Sequence, residues 1–292
     1  MSEEIRIVRR VLVIGAKGML GTDLCARLRE GFEVLEADID EVDITDFAST
    51  RELVAGISPD EVVNVAAFTD VDGAESKAWL AYEINAEGAR NVAKASTSVG
   101  SRCTYIGTDF IFDGKKRSPY VEDDAPNPLC VYAKSKLAGE LNVQQHSDRH
   151  LIVRTAWLFG LHGKNFVEAI LTRAAVGDLR VVDDQAGCPT FSVDLSESLA
   201  RLLETNQTGV FHCTNAGRCS WFDFAKAIVA EAGLRNVEVS RISSTDLNRP
   251  APRPPYSVLD TSRLCRAIGF SMPAWEDALR RFLRLRNERK RG

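Results

Sequence analysis

The 292-residue sequence is poor in what builds a metal centre. It has four histidines and seven cysteines, the latter at 25, 103, 130, 188, 213, 219 and 265 with no Cys-x-x-Cys among them, so no zinc-ligand arrangement is present. His146 and His150 are four apart but fall at a helix end or loop. An odd number of cysteines at scattered spacings fits reduced, partly buried thiols. No apolar run approaches ~20 residues, which excludes a membrane-spanning helix. The opening Met-Ser-Glu-Glu lacks a charged-then-apolar signal pattern, so the expectation is a cytoplasmic protein. Positive charge is not in excess: 37 Lys and Arg stand against 41 acids, a net of −4, which offers no general attraction to nucleic acid or anionic membrane. Internal repeats and low-complexity tracts are missing. The basic ending Asn287-Glu288-Arg289-Lys290-Arg291-Gly292 reads as a frayed, solvated tail.

What is present is enough apolar sequence, 45%, for one large domain or two coupled ones. Arg10–Ile14 is a short β-branched run of the buried parallel type. It leads into Gly15-Ala16-Lys17-Gly18-Met19-Leu20-Gly21 and then a helical pattern at Leu24 and Leu28. Strand, glycine turn and helix together form the context of a dinucleotide fingerprint, here spaced Gly-x-x-Gly-x-x-Gly. Glycines let the backbone approach a pyrophosphate, and the helix N-terminus supplies amide donors. A second strand, Phe32–Ala37, ends at Asp38, where a ribose 2′-hydroxyl is usually held. That carboxylate leans toward NAD(H), although Asp40, Glu41 and Asp43 compete for the role. Thr45 or Asp46 caps a helix over Phe47–Ile57, and Ile44 is a candidate for contact with an adenine ring.

Glu61–Ala67 is a third strand, ending in small residues that leave room for a ligand. Asn85 and Asn91 fall on a long helix; Asn85 either bonds something outside it or lies on its surface. A fourth strand, Cys103–Gly107, delivers Thr108 and Asp109 to the same sheet end, and Leu151–Thr155 is a fifth. Trp157, just beyond it, is either core or a ligand platform. Tyr132 and Lys136 share a helix face by their i,i+4 spacing. An ammonium beside a phenol favours the phenolate and brings it into range for acid–base work. Beyond 160 the alternation loosens. Strands are expected at Leu179–Val182 and Gly209–Cys213, with helices at Val193–Leu203, Trp221–Ala232 and Trp275–Leu285. The proline-rich loop Arg249–Tyr256 carries Arg249 and Arg253, either a phosphate ligand or simply solvated.

The glycine turn, Thr108-Asp109 and Tyr132-x-x-x-Lys136 together resemble an extended short-chain dehydrogenase/reductase. Within that superfamily, Asn64–Glu75, Thr108–Gly114, Arg154–Gly160, Asp184–Thr190 and Arg253-Pro254 are similar to the dTDP-4-dehydrorhamnose reductase family, the likeness running from about Arg10 to Leu285. The resemblance implies an α/β fold: a Rossmann-type doubly wound parallel sheet over 1–160 that binds NADPH or NADH. A smaller α/β part over 161–292 would be mainly substrate-binding, with some segments returning to the sheet. It further implies reduction of a dTDP-linked 4-keto-6-deoxy sugar, with Tyr132, Lys136 and Thr108 catalytic and Tyr132 the proton donor. Lys136 would hold the nicotinamide ribose and lower the Tyr132 pKa. Gly15, Gly18, Met19, Leu20 and Gly21 would lie at the pyrophosphate. Asp38, Asp43 and Ile44 would hold the adenosine half, and Ala66, Ala67, Phe68 and Thr69 would line the cofactor further along, with Tyr132 and Lys136 beside it. Thr108, Asp109, Trp157 and Arg253 would contact the substrate.

The chain departs from the family pattern at Gly107, usually Ser, and at Phe68 and Phe110, often His or Tyr. Asp23 stands where some members place a metal-binding acid, but no metal is expected. The partners implied are a dTDP-sugar and at most a second copy of the chain, as monomer or homodimer. Two alternatives share the pattern: a sugar-nucleotide epimerase or dehydratase of the same fold, and a dinucleotide-binding regulatory subunit of the methionine adenosyltransferase type.

Overall fold

Val11, Leu12, Val13 and Ile14 are apolar without alternation because both faces of their strand are covered. The computed structural model, which describes residues 8–291, places this strand β1 (Arg10–Ile14) inside a six-stranded sheet with β2 (Glu33–Ala37), β3 (Glu61–Asn64), β4 (Arg102–Thr108), β5 (His150–Thr155) and β6 (Gly209–His212). The opening residues read for a signal pattern lie outside those described. Spatial order is β2-β1-β3-β4-β5-β6, every neighbour parallel. The chain therefore reverses its direction of travel across the sheet between β1 and β3. A crevice opens at the carboxyl ends of these two strands, where open α/β sheets bind ligands.

Alternate strand residues feed opposite layers. Val11, Val13, Val63, Leu151 and Val153 pack with Leu20, Leu24 and Leu28 of the helix Met19–Leu28 and with Leu195, Leu199 and Leu202 of the helix Ser192–Glu204. Leu12, Ile14, Val62 and Ile152 pack against Val54, Val92 and Tyr105 on the other face. At ~25 cal/mol per Å² of buried apolar surface, such two-sided coverage is the main force holding the sheet. A separate aromatic-rich cluster, including Phe159, Phe191, Phe224 and Phe282, holds the C-terminal elements together. There Leu179–Val182 pairs with Val239–Ile242, Leu158–Phe159 with Thr190–Phe191, and Ala186–Gly187 with Cys219–Ser220.

Several expectations are corrected. The third strand stops at Asn64, whose side chain accepts from the Ala66 amide and turns the chain out of the sheet. Asn85 and Asn91 do share one long helix, continuous from Ala78 to Ser98, but Asn85 falls in a π-turn within it at Glu83–Gly88. The basic ending is no frayed tail, since the last helix runs from Trp275 to Arg291. Arg286 pairs with Glu168 and Arg289 donates to the Leu161 carbonyl, tying that helix down. Among the described residues no helix is long and apolar enough to cross a membrane.

Candidate active site

The turn after β1 is shaped by close backbone approach. Gly15 has φ +88°, and a Cβ there would lie 2.7 Å from the Ala66 amide nitrogen. A Cβ on Gly21 would lie 2.2 Å from the Gly15 carbonyl. Gly21 is thus a packing residue beneath the turn, and it does not reach the crevice as expected of a cofactor ligand. Gly15, Gly18, Met19 and Leu20 do line it, with the first turn of the helix behind them. The crevice encloses about 1660 Å³, more than the ~300–1,000 Å³ of a site for one small ligand.

The β2 end carries Asp38, whose carboxylate accepts from the amides of Lys17 and Ile39, each at 2.8 Å. Lys17 itself extends to Asp40 at 2.8 Å and Glu41 at 3.2 Å. Asp43 caps its own turn by accepting from Thr45, and Asp46 is the cap of the helix Phe47–Ile57. Ile44 lines the crevice beside Asp38 and Asp43. Its carbonyl and that of Thr45 accept from Asn91, the use found for a polar residue buried in the helix Ala89–Ser98.

Asn85 is bonded outward. It accepts from the Phe68 amide at 2.8 Å and donates to the Phe68 carbonyl and to Ser135 at 3.1 and 2.9 Å. One buried amide thereby fixes the loop after β3 to the helix Val131–His146 that carries Tyr132 and Lys136. Ala66, Ala67 and Thr69 face the crevice, whereas Phe68 does not; its role is carried by its backbone.

Thr108, Asp109, Tyr132 and Lys136 meet at the carboxyl end of β4. Thr108 donates to Asp109 at 3.2 Å and accepts from the Phe110 amide at 3.3 Å. Asp109 is buried with one carboxyl oxygen unpartnered, and burial raises it to about 7 against the pull of the Ser257 and Thr108 hydroxyls. Lys136 donates to the Ile106 carbonyl at 2.7 Å and lies 4.2 Å above the Tyr105 ring. Burial pulls its ammonium down to about 7, with Glu140 opposing.

Tyr132 is pushed up to about 12, first by burial and then by Asp109 and Cys130, while the Thr108 hydroxyl works the other way. The expectation that Lys136 lowers the Tyr132 pKa is therefore corrected. The ammonium is directed at a strand carbonyl, and near neutrality much of it has lost its proton.

Trp157 follows β5 with φ +47°, a left-handed conformation costly for a non-glycine residue. Its indole is stacked on Trp221 with centroids 3.5 Å apart and planes 8° apart. A Cβ on Gly187 would sit 2.4 Å from the ring-fusion atom Cε2, closer than to the neighbouring Cζ2 and Nε1, so Gly187 covers the other face. Trp157 is sandwiched and offers the crevice an edge rather than a stacking platform. Arg253 also differs from expectation. Its guanidinium grips Asp72 at 2.9 and 2.8 Å and donates to the Ala251 carbonyl, which locks the proline-rich loop to the helix Val71–Ser76. The same ion pair holds the Asp72 carboxyl below its ordinary range. Asp23 is bonded by Ser192 and lies 3.6 Å from His162.

Residues that the sequence reading missed come mostly from beyond 160: Phe166, Arg173, Arg180 and Trp221 all line the crevice. A signal for the first two existed. Asn165 caps the helix Phe166–Ala174 by accepting from Glu168, and Phe166, Ile170 and Arg173 then follow at helical spacing.

Comparison with known proteins agrees with this geometry. The family model described as "RmlD substrate binding domain" matches residues 9–287. The spore coat polysaccharide biosynthesis protein SpsK of Bacillus subtilis strain 168 is 40% identical over 280 residues, covering 95% of this chain and 98% of that protein. A dTDP-4-dehydrorhamnose reductase of Mycobacterium tuberculosis strain H37Rv is 40% identical over 279 residues, covering 92% and 91%. The crystal structure of dTDP-4-dehydrorhamnose reductase from Bacillus anthracis str. Ames in complex with NADP superimposes with a TM-score of 0.92 at 39% identity, covering 96% of this chain and all of that one.

Proposed function

The chain belongs to the RmlD substrate binding domain family, and from that premise we propose that it reduces the C4 keto group of dTDP-4-dehydro-6-deoxy-L-mannose to give dTDP-L-rhamnose. It is an NAD(P)H-dependent oxidoreductase; a relative was crystallised with NADP, and relatives of 40% identity carry the reductase name. The observation that carries the reading is the meeting of Tyr132, Thr108 and Lys136 in one crevice with the glycine turn.

The residues present fit a dinucleotide. The glycine turn lets the backbone come close, the helix behind it presents free amides, and the space exceeds one ligand's need. Gly15, Gly18, Met19 and Leu20 would hold the pyrophosphate, Asp38, Asp43 and Ile44 the adenosine half, and Ala66, Ala67 and Thr69 the remainder. A bound reduced nicotinamide supplies the hydride. Residues up to 160 would thus form the cofactor half and 161–292 mainly the substrate half, with Ser192–Glu204 and β6 belonging structurally to the sheet.

A phenol at about 12 keeps its proton at neutral pH. Tyr132 is therefore a donor at rest, suited to protonate a C4 oxygen that becomes an alkoxide as hydride arrives. Thr108 orients the carbonyl by hydrogen bonding, and Phe110, whose ring meets Tyr132 edge-on at 6.0 Å, keeps water from the phenol. Lys136, one helical turn on, would hold the ribose, its amine being already anchored on the Ile106 carbonyl. The test is stoichiometric. The purified protein, the keto sugar and NADPH or NADH are mixed, and loss of reduced-nicotinamide absorbance is compared with dTDP-L-rhamnose formed. One cofactor oxidised per dTDP-L-rhamnose formed supports the reading; conversion of the keto sugar to an isomeric or dehydrated keto sugar without net oxidation would reassign the protein to the epimerases or dehydratases of this fold.

A further inference from the structure

A proton donor needs a source that refills it. Tyr132 carries its proton at rest, but each reduction leaves a phenolate that must be reloaded before the next. Most of the groups around it are unsuited. Tyr105 lies beneath on β4, where burial makes it hold its own proton tightly, and its hydroxyl lies 3.3 and 3.2 Å from the Asn85 and Lys136 carbonyls. Cys130, just before the helix, has a thiol pushed up by burial. Lys136, on the same helix, is committed as a donor to the Ile106 carbonyl. The remaining neighbours are Thr108 and Asp109 at the end of β4.

Asp109 is held unlike a structural carboxylate. It is only 2% exposed and lines the crevice. One of its oxygens is linked to the Thr108 hydroxyl at 3.2 Å, and the other, Oδ2, is buried without a partner. A buried carboxyl with so few bonds favours its neutral form. Burial outweighs the Ser257 and Thr108 hydroxyls and the amides of Asp109 and Phe110, and places the group at about 7. Two titratable groups face it from other elements, Tyr132 from the helix Val131–His146 and Cys188 from the segment after Ala186–Gly187, and it raises both. A proton on this carboxyl passes downhill to a phenolate whose phenol lies at about 12. The Thr108 hydroxyl, able to donate and accept at once, is the bridge between them.

We infer that Asp109 is the proton reservoir of this site and refills Tyr132 through the Thr108 hydroxyl. This rests on the reductase reading above. As hydride arrives at C4, the phenol O–H bond breaks and its proton joins the C4 oxygen. The phenolate then takes the Thr108 hydroxyl proton, and Thr108 takes the carboxyl proton of Asp109. The Asp109 carboxylate regains a proton from solvent once product has left. Each reduction thereby consumes one hydride and one proton, and every side chain ends as it began. Asp109 acts through Tyr132 and touches no reacting atom.

Stopped-flow oxidation of NADPH with excess keto sugar tests it, comparing wild type with Asp109→Asn. The amide keeps the shape and a bond to Thr108 but cannot cycle a proton. Tyr132 starts loaded, so the first turnover of the variant is expected within a few-fold of the wild type. Later turnovers should be about tenfold slower or more, leaving a burst of about one NADPH per site. Equal steady-state rates would overturn the inference. So would a first turnover slowed as much as the later ones, which would make Asp109 a substrate contact. Infrared spectra of the cofactor-free protein read the reservoir without turnover. The wild type should show a protonated-carboxyl band at about pH 6 that is lost by about pH 8, and Asp109→Asn should lack it. Ser257→Ala removes a hydroxyl that holds Asp109 down, so it should move that titration, and the fall of the steady-state rate with pH, to higher pH. A wild type without the band, or a titration that ignores Ser257, would overturn the inference. The band without any cofactor oxidation by the wild type would instead remove the reductase reading, and the relay would fall with it.

Discussion

Replacing Lys136 by methionine should abolish turnover and yet make the ligand-free protein more stable at neutral pH. Burial lowers this ammonium from 10.5 to about 7. At ~1.4 kcal/mol per pK unit, holding the amine against its preferred charge costs about 4–5 kcal/mol at pH 7. Methionine has similar volume and removes that cost. It also forfeits the hydrogen bond to the Ile106 carbonyl and leaves that acceptor unpaired, together about 2–3 kcal/mol. A net gain of about 2 kcal/mol remains, or roughly 3 °C in Tm for a chain of this length. The pH dependence is the sharper signature. In the unfolded chain the amine protonates below its ordinary value, while in the fold it does so only below about 7. The wild type therefore loses stability from this group as pH falls from 10.5 toward 7, and the loss is complete below that. The advantage of the variant should shrink by about 2–3 kcal/mol between pH 7 and pH 9. Paired melts of wild type and Lys136→Met at both pH values measure it. A variant less stable at pH 7, with a difference that stays flat to pH 9, would refute the reasoning.

Two further substitutions probe the crevice. A Cβ on Gly107 would fall 2.9 Å from Arg154 Cγ, beside the buried Arg154–Glu140 ion pair. Gly107→Ser should accordingly cost about 1–3 kcal/mol and lower the melting temperature; a melt matching the wild type would show that the pair repacks freely. Asp38→Ala removes the carboxylate proposed to face the ribose, so it should weaken NADH more than NADPH. Fluorescence titration with both cofactors reads the ratio, and an unchanged ratio would remove Asp38 from cofactor choice.

The sheet was legible because its strands are fully covered: runs such as Val11–Ile14 and Leu151–Val153 have no other reading. Gly15, Thr108, Tyr132 and Lys136 were legible because each is tied to the end of such a strand or to a fixed helical spacing. The two-residue strands at Leu158, Ala186, Thr190 and Cys219 carry too little pattern to be seen. Long-range partners were hidden for a different reason. Nothing near Arg253 shows that its charge is spent on Asp72, which lies 181 positions earlier. Nothing near Trp157 shows that Trp221 and Gly187 occupy its faces. Burial also overruled a local rule, since the i,i+4 neighbour Lys136 was expected to depress the Tyr132 pKa and the enclosed site raises it instead.

The most direct test of the account is the rate of reduced-nicotinamide oxidation by Tyr132→Phe with the keto sugar, alongside its affinity for NADPH. The account predicts a rate at least a hundredfold lower, given the ~10²–10⁴ contributed by a positioned proton donor, with cofactor affinity within a few-fold of the wild type. Oxidation at the wild-type rate would contradict it, because the proton would then have to come from another group.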